Sequence, residues 1–280
     1  MSSEIDPPSD NPDIRPKNWC GTHISTNMNK EDQVPIADDD ADVIPQGREY
    51  YPCQTQVRLQ ETFGSPQVDE QNNDPDGPER INVGWGPIIP RWTPSKLLWF
   101  AVRAGFPSDE DFDYTVTSFE EAAGEWNAID FGLTFEQTSD RKAANFLVKY
   151  IKPTDPKLQR VLASAFFPNN VEDVLVYDFT LVSQTWRPRL RNTFLHEIGH
   201  IIGLRHEFAI KPDRFGNGPE TEFPAKLFGS ENPNSVMSYE DVNEIQDTDR
   251  EDVVKFYKLP VGYVIQRAKV TDYKPKPLPE

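Results

Sequence analysis

An α+β domain is predicted for the chain from about residue 96 onward, on two observations. Between residues 96 and 182, short β-branched and aromatic runs alternate with polar or proline-containing turns, and a single amphipathic helical stretch lies among them. Beyond residue 182, two further helical segments carry their own start and stop signals.

The first run, residues 96–103, is apolar and aromatic-rich and is bounded by Pro94 and Gly105, which reads as a buried strand. Val116, Phe119, Ala123, Trp126 and Ile129 follow at spacings of three and four, so one helix face is apolar, while Glu120, Glu121 and Glu125 take the other. Strands are then predicted over 133–137, 146–151, 161–167 and 174–182. A helix is expected from about Pro188, which suits a first helical turn, to Leu204, with Gly203 marking its C-terminal end. Asp247, Thr248 and Asp249 signal the start of a last helix containing Val253, Val254, Phe256 and Tyr257, and Pro260 stops it.

The 280 residues are enough for one substantial core with an extension to spare. With 36% hydrophobic residues, 26 prolines and a mean hydropathy of -0.66, the chain is polar for its size, and the excess sits near the N-terminus. Residues 1–90 hold the run Asp38-Asp39-Asp40-Ala41-Asp42 and a Pro-, Asp- and Asn-rich stretch at 69–80, so they read as an acidic extension. Within them, residues 54–59 alternate weakly and could add a strand to the main domain. The organisation expected is an extension or propeptide-like region over 1–90, a folded domain over 91–260 and a tail over 261–280.

A net charge of -17 with no Lys/Arg cluster argues against nucleic acid as a partner. No apolar run approaches the roughly 18 residues that would cross a bilayer, and the first 30 residues lack the apolar core of a secretory signal. Cys20 and Cys53 could form a disulfide or remain free; alternatively the Cys20 thiol reaches a metal in a latent form.

The chemistry is concentrated in His196-Glu197-Ile198-Gly199-His200-Ile201-Ile202-Gly203-Leu204-Arg205-His206. His196 and His200 stand at i and i+4, on one helix face, so both imidazoles can address one ion. His206 can join them only if the helix stops, because six more helical residues would carry it about 9 Å along the axis. Gly203 supplies the stop, since glycine enters the left-handed conformation without a Cβ penalty. Three nitrogen ligands suit a catalytic Zn2+ whose fourth position is left for water, and Glu197 is placed to take that water's proton. A buried helix with hydrogen-bonded histidines is the bland reading, but three of the chain's four histidines fall in this one string.

The string resembles the metzincin metallopeptidases, whose His-Glu-x-x-His-x-x-Gly-x-x-His pattern is followed by a methionine-containing turn, here Met237 in Ser235-Val236-Met237-Ser238-Tyr239. It is most similar to the astacins, because Glu207 follows the third histidine and Tyr239 lies two residues beyond Met237. The resemblance spans roughly residues 96–257; the disulfides usual in astacins and their full arginine-rich continuation after Glu207 are missing.

The resemblance implies a metzincin-like (zincin) catalytic domain. Its features would be a twisted, mostly parallel sheet with one antiparallel edge strand, two long helices, and an irregular C-terminal subdomain with the Met-turn and a final helix. It further implies one catalytic Zn2+ on His196, His200 and His206, with Glu197 as base. Tyr239 would be an added ligand or an oxyanion donor, unless it is an ordinary packed tyrosine. An extended protein or peptide substrate would pair with the edge strand, for which residues 161–167 are the candidate; their alternative is a plain core strand. The activity expected is zinc-dependent endopeptidase, from a monomer, with secretion favoured by the family. The competing functions are a catalytically silent binding protein of the same fold and a zinc amidohydrolase with a narrow non-protein substrate.

Overall fold

The computed structural model describes residues 53, 55, 80–213, 218–220, 223–229, 232–239 and 244–279, all within the unit Gly47–Glu280. Cys20, His23 and most of the expected 1–90 extension lie outside them, as does the weak alternation at 54–59 apart from Thr55.

Ten strands are described: β1 (Arg80–Val83), β2 (Ile88–Trp92), β3 (Ser95–Ala101), β4 (Leu133–Gln137), β5 (Phe146–Ile151), β6 (Ala163–Ser164), β7 (Val174–Tyr177), β8 (Lys226–Gly229), β9 (Val264–Ile265) and β10 (Ala268–Tyr273). Four helices accompany them: α1 (Asp109–Asn127), α2 (Asp178–Val182), α3 (Leu190–Ile201) and α4 (Asp247–Lys258). The architecture is mixed, with helices packed on a sheet ordered β4-β3-β5-β7-β6. All neighbours in that sheet are parallel except β6, the antiparallel edge.

α1 begins where Ser108 Oγ accepts from the Asp111 amide at 3.0 Å, and three acidic residues in its first turn oppose the positive end of the helix dipole. Its apolar face meets α3 and the sheet through edge-on aromatic contacts, Trp99 to Phe119 at 4.7 Å and Phe119 to Phe194 at 5.0 Å. Trp126 is fully buried, and its indole N–H donates to the Leu195 carbonyl at 3.0 Å. Burial of each such side chain contributes about 1.5–3 kcal/mol, so this layer is a main source of stability.

Several expectations change, and the strand expected over 161–167 is only Ala163–Ser164. Residues 174–182 do not form one strand: β7 ends at Tyr177 and the helical turn α2 takes over. The Ser183 amide closes the turn on the Phe179 carbonyl at 3.0 Å, and Thr180 Oγ1 donates to the Leu162 carbonyl at 2.6 Å. Packing also reaches past both ends of 91–260. β1 pairs with β8 and β2 pairs in parallel with β10, so that Ile81, Val83 and Ile89 share the main core with Ile265, Ala268 and Val270. The expected tail over 261–280 therefore carries the β9–β10 hairpin. Its signal is short, because a strand covered on one side by a distant segment needs only a few apolar residues.

α3 ends as its glycine predicts. Gly203 has φ of +100°, its N–H bonds the His200 carbonyl at 2.9 Å, and Leu204 N–H bonds Gly199 at 2.9 Å. The helix is shorter than the expected 188–204, because residues 187–189 form a separate 3-10 turn. Distant side chains fasten its end: Trp92 Nε1 donates to the Ile201 carbonyl at 2.7 Å and the Tyr257 hydroxyl to Ile202 at 3.0 Å.

Candidate metal centre

The last two turns of α3 and the reversal at Gly203 bring His196, His200 and His206 together, all at most 3% exposed. Each ring is oriented by a partner on its Nδ1. His196 Nδ1 lies 2.9 Å from the Val236 carbonyl, His200 Nδ1 2.8 Å from the Leu204 carbonyl, and His206 Nδ1 2.5 Å from Glu220 Oε1. All three partners can only accept, so each Nδ1 carries a proton and Nε2 is the ring atom left to address a ligand.

The Nε2 atoms of His200 and His206 face each other at 3.2 Å. Two ring nitrogens at that distance are held together by a shared proton or by a cation between them. Two nitrogens held at 2.0–2.1 Å from a tetrahedral ion would stand about 3.3 Å apart, so the spacing fits such an ion. The three imidazoles and the Cys53 thiol, with ligand atoms all within 4.8 Å of one another, form a group able to hold a metal.

Burial lowers His196 to about 3, and repulsion from His206 adds to it; burial likewise pushes His200 down. The neutral imidazole that metals require is therefore the resting form. Burial alone would raise Glu220, but His206 and the Arg205 guanidinium outweigh it and hold the carboxyl at about 2. Arg205 is itself buried, bonding Glu220 Oε2 at 2.7 Å and the carbonyls of Gly84 and Phe223 at 2.9 and 2.7 Å.

Glu197 is buried beside this group, and its Oε2 accepts from Thr55 Oγ1 at 2.7 Å. Tyr239 reaches it from the following loop: its hydroxyl oxygen lies 3.3 Å from His206 Nε2 and accepts from the Cys53 amide at 3.3 Å. Met237 is 2% exposed beneath α3, in a turn tied by Ser235 Oγ to the Met237 amide at 3.1 Å. Asp249 holds the same turn through Ser235 Oγ at 2.7 Å and the Val236 amide at 3.0 Å. Glu207 links the two loops, its N–H donating to the Met237 carbonyl at 3.0 Å while its Oε1 accepts from the Asn232 amide at 2.8 Å.

All five residues singled out in the sequence thus meet in one place: His196, His200, His206, Glu197 and Tyr239. Four others were not legible. Asn82 donates to the carbonyls of His206 and Glu207 at 2.9 Å each, fixing the chain after the turn. Glu220 accepts from the His206 ring and is itself held by Arg205, and Thr55 reaches Glu197 from far upstream. Nothing in local spacing marks these residues, since each acts across many residues of chain. Cys53 is a free, buried cysteine and stands in the cluster, while Cys20 lies outside the described residues. Burial and then the neighbouring Glu197 carboxylate push its thiol up.

The sequence matches no family model, and no curated protein matches it. Among solved structures the chain is similar to high choriolytic enzyme 1, a hatching enzyme zinc-protease from Oryzias latipes (medaka fish). The identity is 11% and the TM-score 0.34, covering 61% of this chain and 95% of that one.

Proposed function

We propose that the protein is a zinc-dependent metalloendopeptidase with His196, His200 and His206 as metal ligands. The observation that carries this reading is the clustering of three imidazoles, each oriented by an acceptor on Nδ1, beside the buried carboxylate of Glu197. A structural zinc site would have no use for that adjacent carboxylate. Zinc in this position supplies a Lewis acid and lowers the pKa of a coordinated water to about 7.

The remaining steps fall to the chain's own groups. Glu197 takes the proton of the attacking water and delivers it to the leaving amine. The Tyr239 hydroxyl, 3.3 Å from His206 Nε2, is within reach of an oxyanion developing beside the ligands and donates to it. Edge strand β6 offers the backbone to which an extended peptide adds. The apolar wall of Leu162, Trp186 and Phe208 next to Tyr239 keeps that region dry.

The test combines zinc content with cleavage of casein in the presence and absence of a chelator, on the parent chain and on Glu197→Gln. One zinc per chain in both, chelator-sensitive cleavage in the parent, and a loss of about 10²–10⁴-fold in the variant are expected. A purified, folded chain that takes up no zinc would overturn the reading.

A further inference from the structure

The β9–β10 hairpin and the turn before it carry a surface that the metal centre does not use. Among the described residues five large apolar side chains are exposed, and three of them stand within four positions here: Val261 at 67%, Tyr263 at 47% and Val264 at 54%. Their exposure is built in, because the backbone beneath them is tied down. Gly262 N–H donates to the Val270 carbonyl at 2.8 Å, Tyr263 N–H to the Pro260 carbonyl at 3.0 Å, and Val270 N–H to the Tyr263 carbonyl at 2.8 Å. Ile265 and Ala268 fill the inward face of the hairpin, so Val264 and its cross-strand neighbour Lys269 stand on the outward face.

Charge singles out the same place. From Val253 to Thr271 the sequence holds four Lys and Arg residues and no Asp or Glu, in a chain whose net charge is -17. Lys258, Arg267 and Lys269 are exposed and flank the apolar residues on both sides in sequence. The hairpin tip is Gln266-Arg267, with φ of +43° and +70°, a turn that glycine or asparagine enters more easily. A guanidinium is thus kept at the tip against a local conformational cost. A second copy of the chain would set these cations against one another. An anionic bilayer meets both features at once, taking apolar side chains into its acyl boundary and cations onto its headgroups.

We propose that residues 258–269 form a docking surface for anionic lipid membranes. Val261 and Val264 enter the acyl boundary, Tyr263 lies at headgroup level with its hydroxyl in water, and Lys258, Arg267 and Lys269 meet the lipid anions. The contact is peripheral, made by the side chains of one hairpin and its flanks. The overall charge of -17 does not prevent approach at physiological salt, where fields are screened beyond about 8 Å and only groups near the bilayer act. Neither the metal nor Glu197 takes part, so docking survives even where the zinc reading fails.

Co-sedimentation of the full chain with vesicles tests this, using phosphatidylcholine alone and phosphatidylcholine mixed with phosphatidylserine. Binding to the mixed vesicles should be at least about tenfold tighter than to phosphatidylcholine, and it should fall as salt is raised. A cation near an anionic bilayer contributes about fivefold in affinity, so Lys258→Gln combined with Lys269→Gln should weaken binding by about 25-fold. Replacing Val261, Tyr263 and Val264 together by serine should weaken it at least about tenfold. Val171→Ser, at an exposed valine elsewhere, should leave it unchanged. Thermal unfolding verifies that each variant is folded. A parent chain that does not sediment with the mixed vesicles, or that binds both kinds equally, overturns the docking surface, as do hairpin variants that bind like the parent. Without vesicle binding, a parent dimer that the serine variant dissociates would assign the face to a second copy, and capture by immobilised polyglutamate would assign it to an acidic protein.

Discussion

Gly199 of α3 rests directly on Met237: a Cβ at Gly199 would lie 2.3 Å from the Met237 sulfur, which is buried in a turn held by Asp249 and Glu207. The glycine is needed between the two metal-facing histidines of the helix because the methionine leaves no room for a methyl group. Gly199→Ala should therefore cost about 1–3 kcal/mol by overpacking. Denaturant unfolding of the single variants and of Gly199→Ala with Met237→Ala checks this: the double variant should be less destabilised than the sum of the two, and strict additivity would show that the contact carries no strain.

Gly203 is the second place where a side chain does not fit. Its φ is +100°, and a Cβ would meet the Pro90 carbonyl oxygen at 2.5 Å. Gly203→Ala should lose at least about 1–2 kcal/mol from the left-handed conformation alone. It should also weaken zinc binding, because His206 is carried by this reversal. Calorimetric unfolding and a competitive chelator titration measure the two effects separately.

Glu220 orients His206 through one oxygen and is held by Arg205 through the other. Glu220→Gln keeps the size but replaces one acceptor oxygen with an amide NH2 donor, so one of the two donors loses its partner. Zinc affinity should fall about 10–100-fold with the fold retained. Equal affinities for parent and variant in chelator competition would remove Glu220 from the account.

Asp111 on α1 pairs with Arg187, tying the helix to the turn before α3. Burial alone would raise its carboxyl, but the hydrogen bonds from Arg187 and Ser108 hold it below the usual aspartate range. A depressed carboxylate contributes stability above its unfolded pKa and loses it as pH falls through the folded value. Asp111→Asn should thus be less stable by about 1 kcal/mol at pH 7, and the gap should close as pH falls through the depressed folded value. A gap that stays constant across pH titration would mean the loss is one of packing.

The sequence by itself determined which residues could meet and where α3 had to end. Histidines four apart on a helix share a face whatever surrounds them, and a glycine three residues further on turns the chain back, so the approach of His206 was legible from spacing alone. The strands β3, β4 and β5 were legible for the same reason, because their side chains carry a periodicity that local rules read. What faces those groups across space was decided only by the tertiary structure. Asn82, Glu220 and Thr55 act through single polar atoms on irregular or short segments, and β1 and β9 are too short to show a period. Cys53, which the sequence left open as half of a disulfide or a free thiol, is free and lies beside three imidazoles. A hydrogen bond or a ligand position between residues more than a hundred apart depends on how the whole core packs, and no local pattern encodes it.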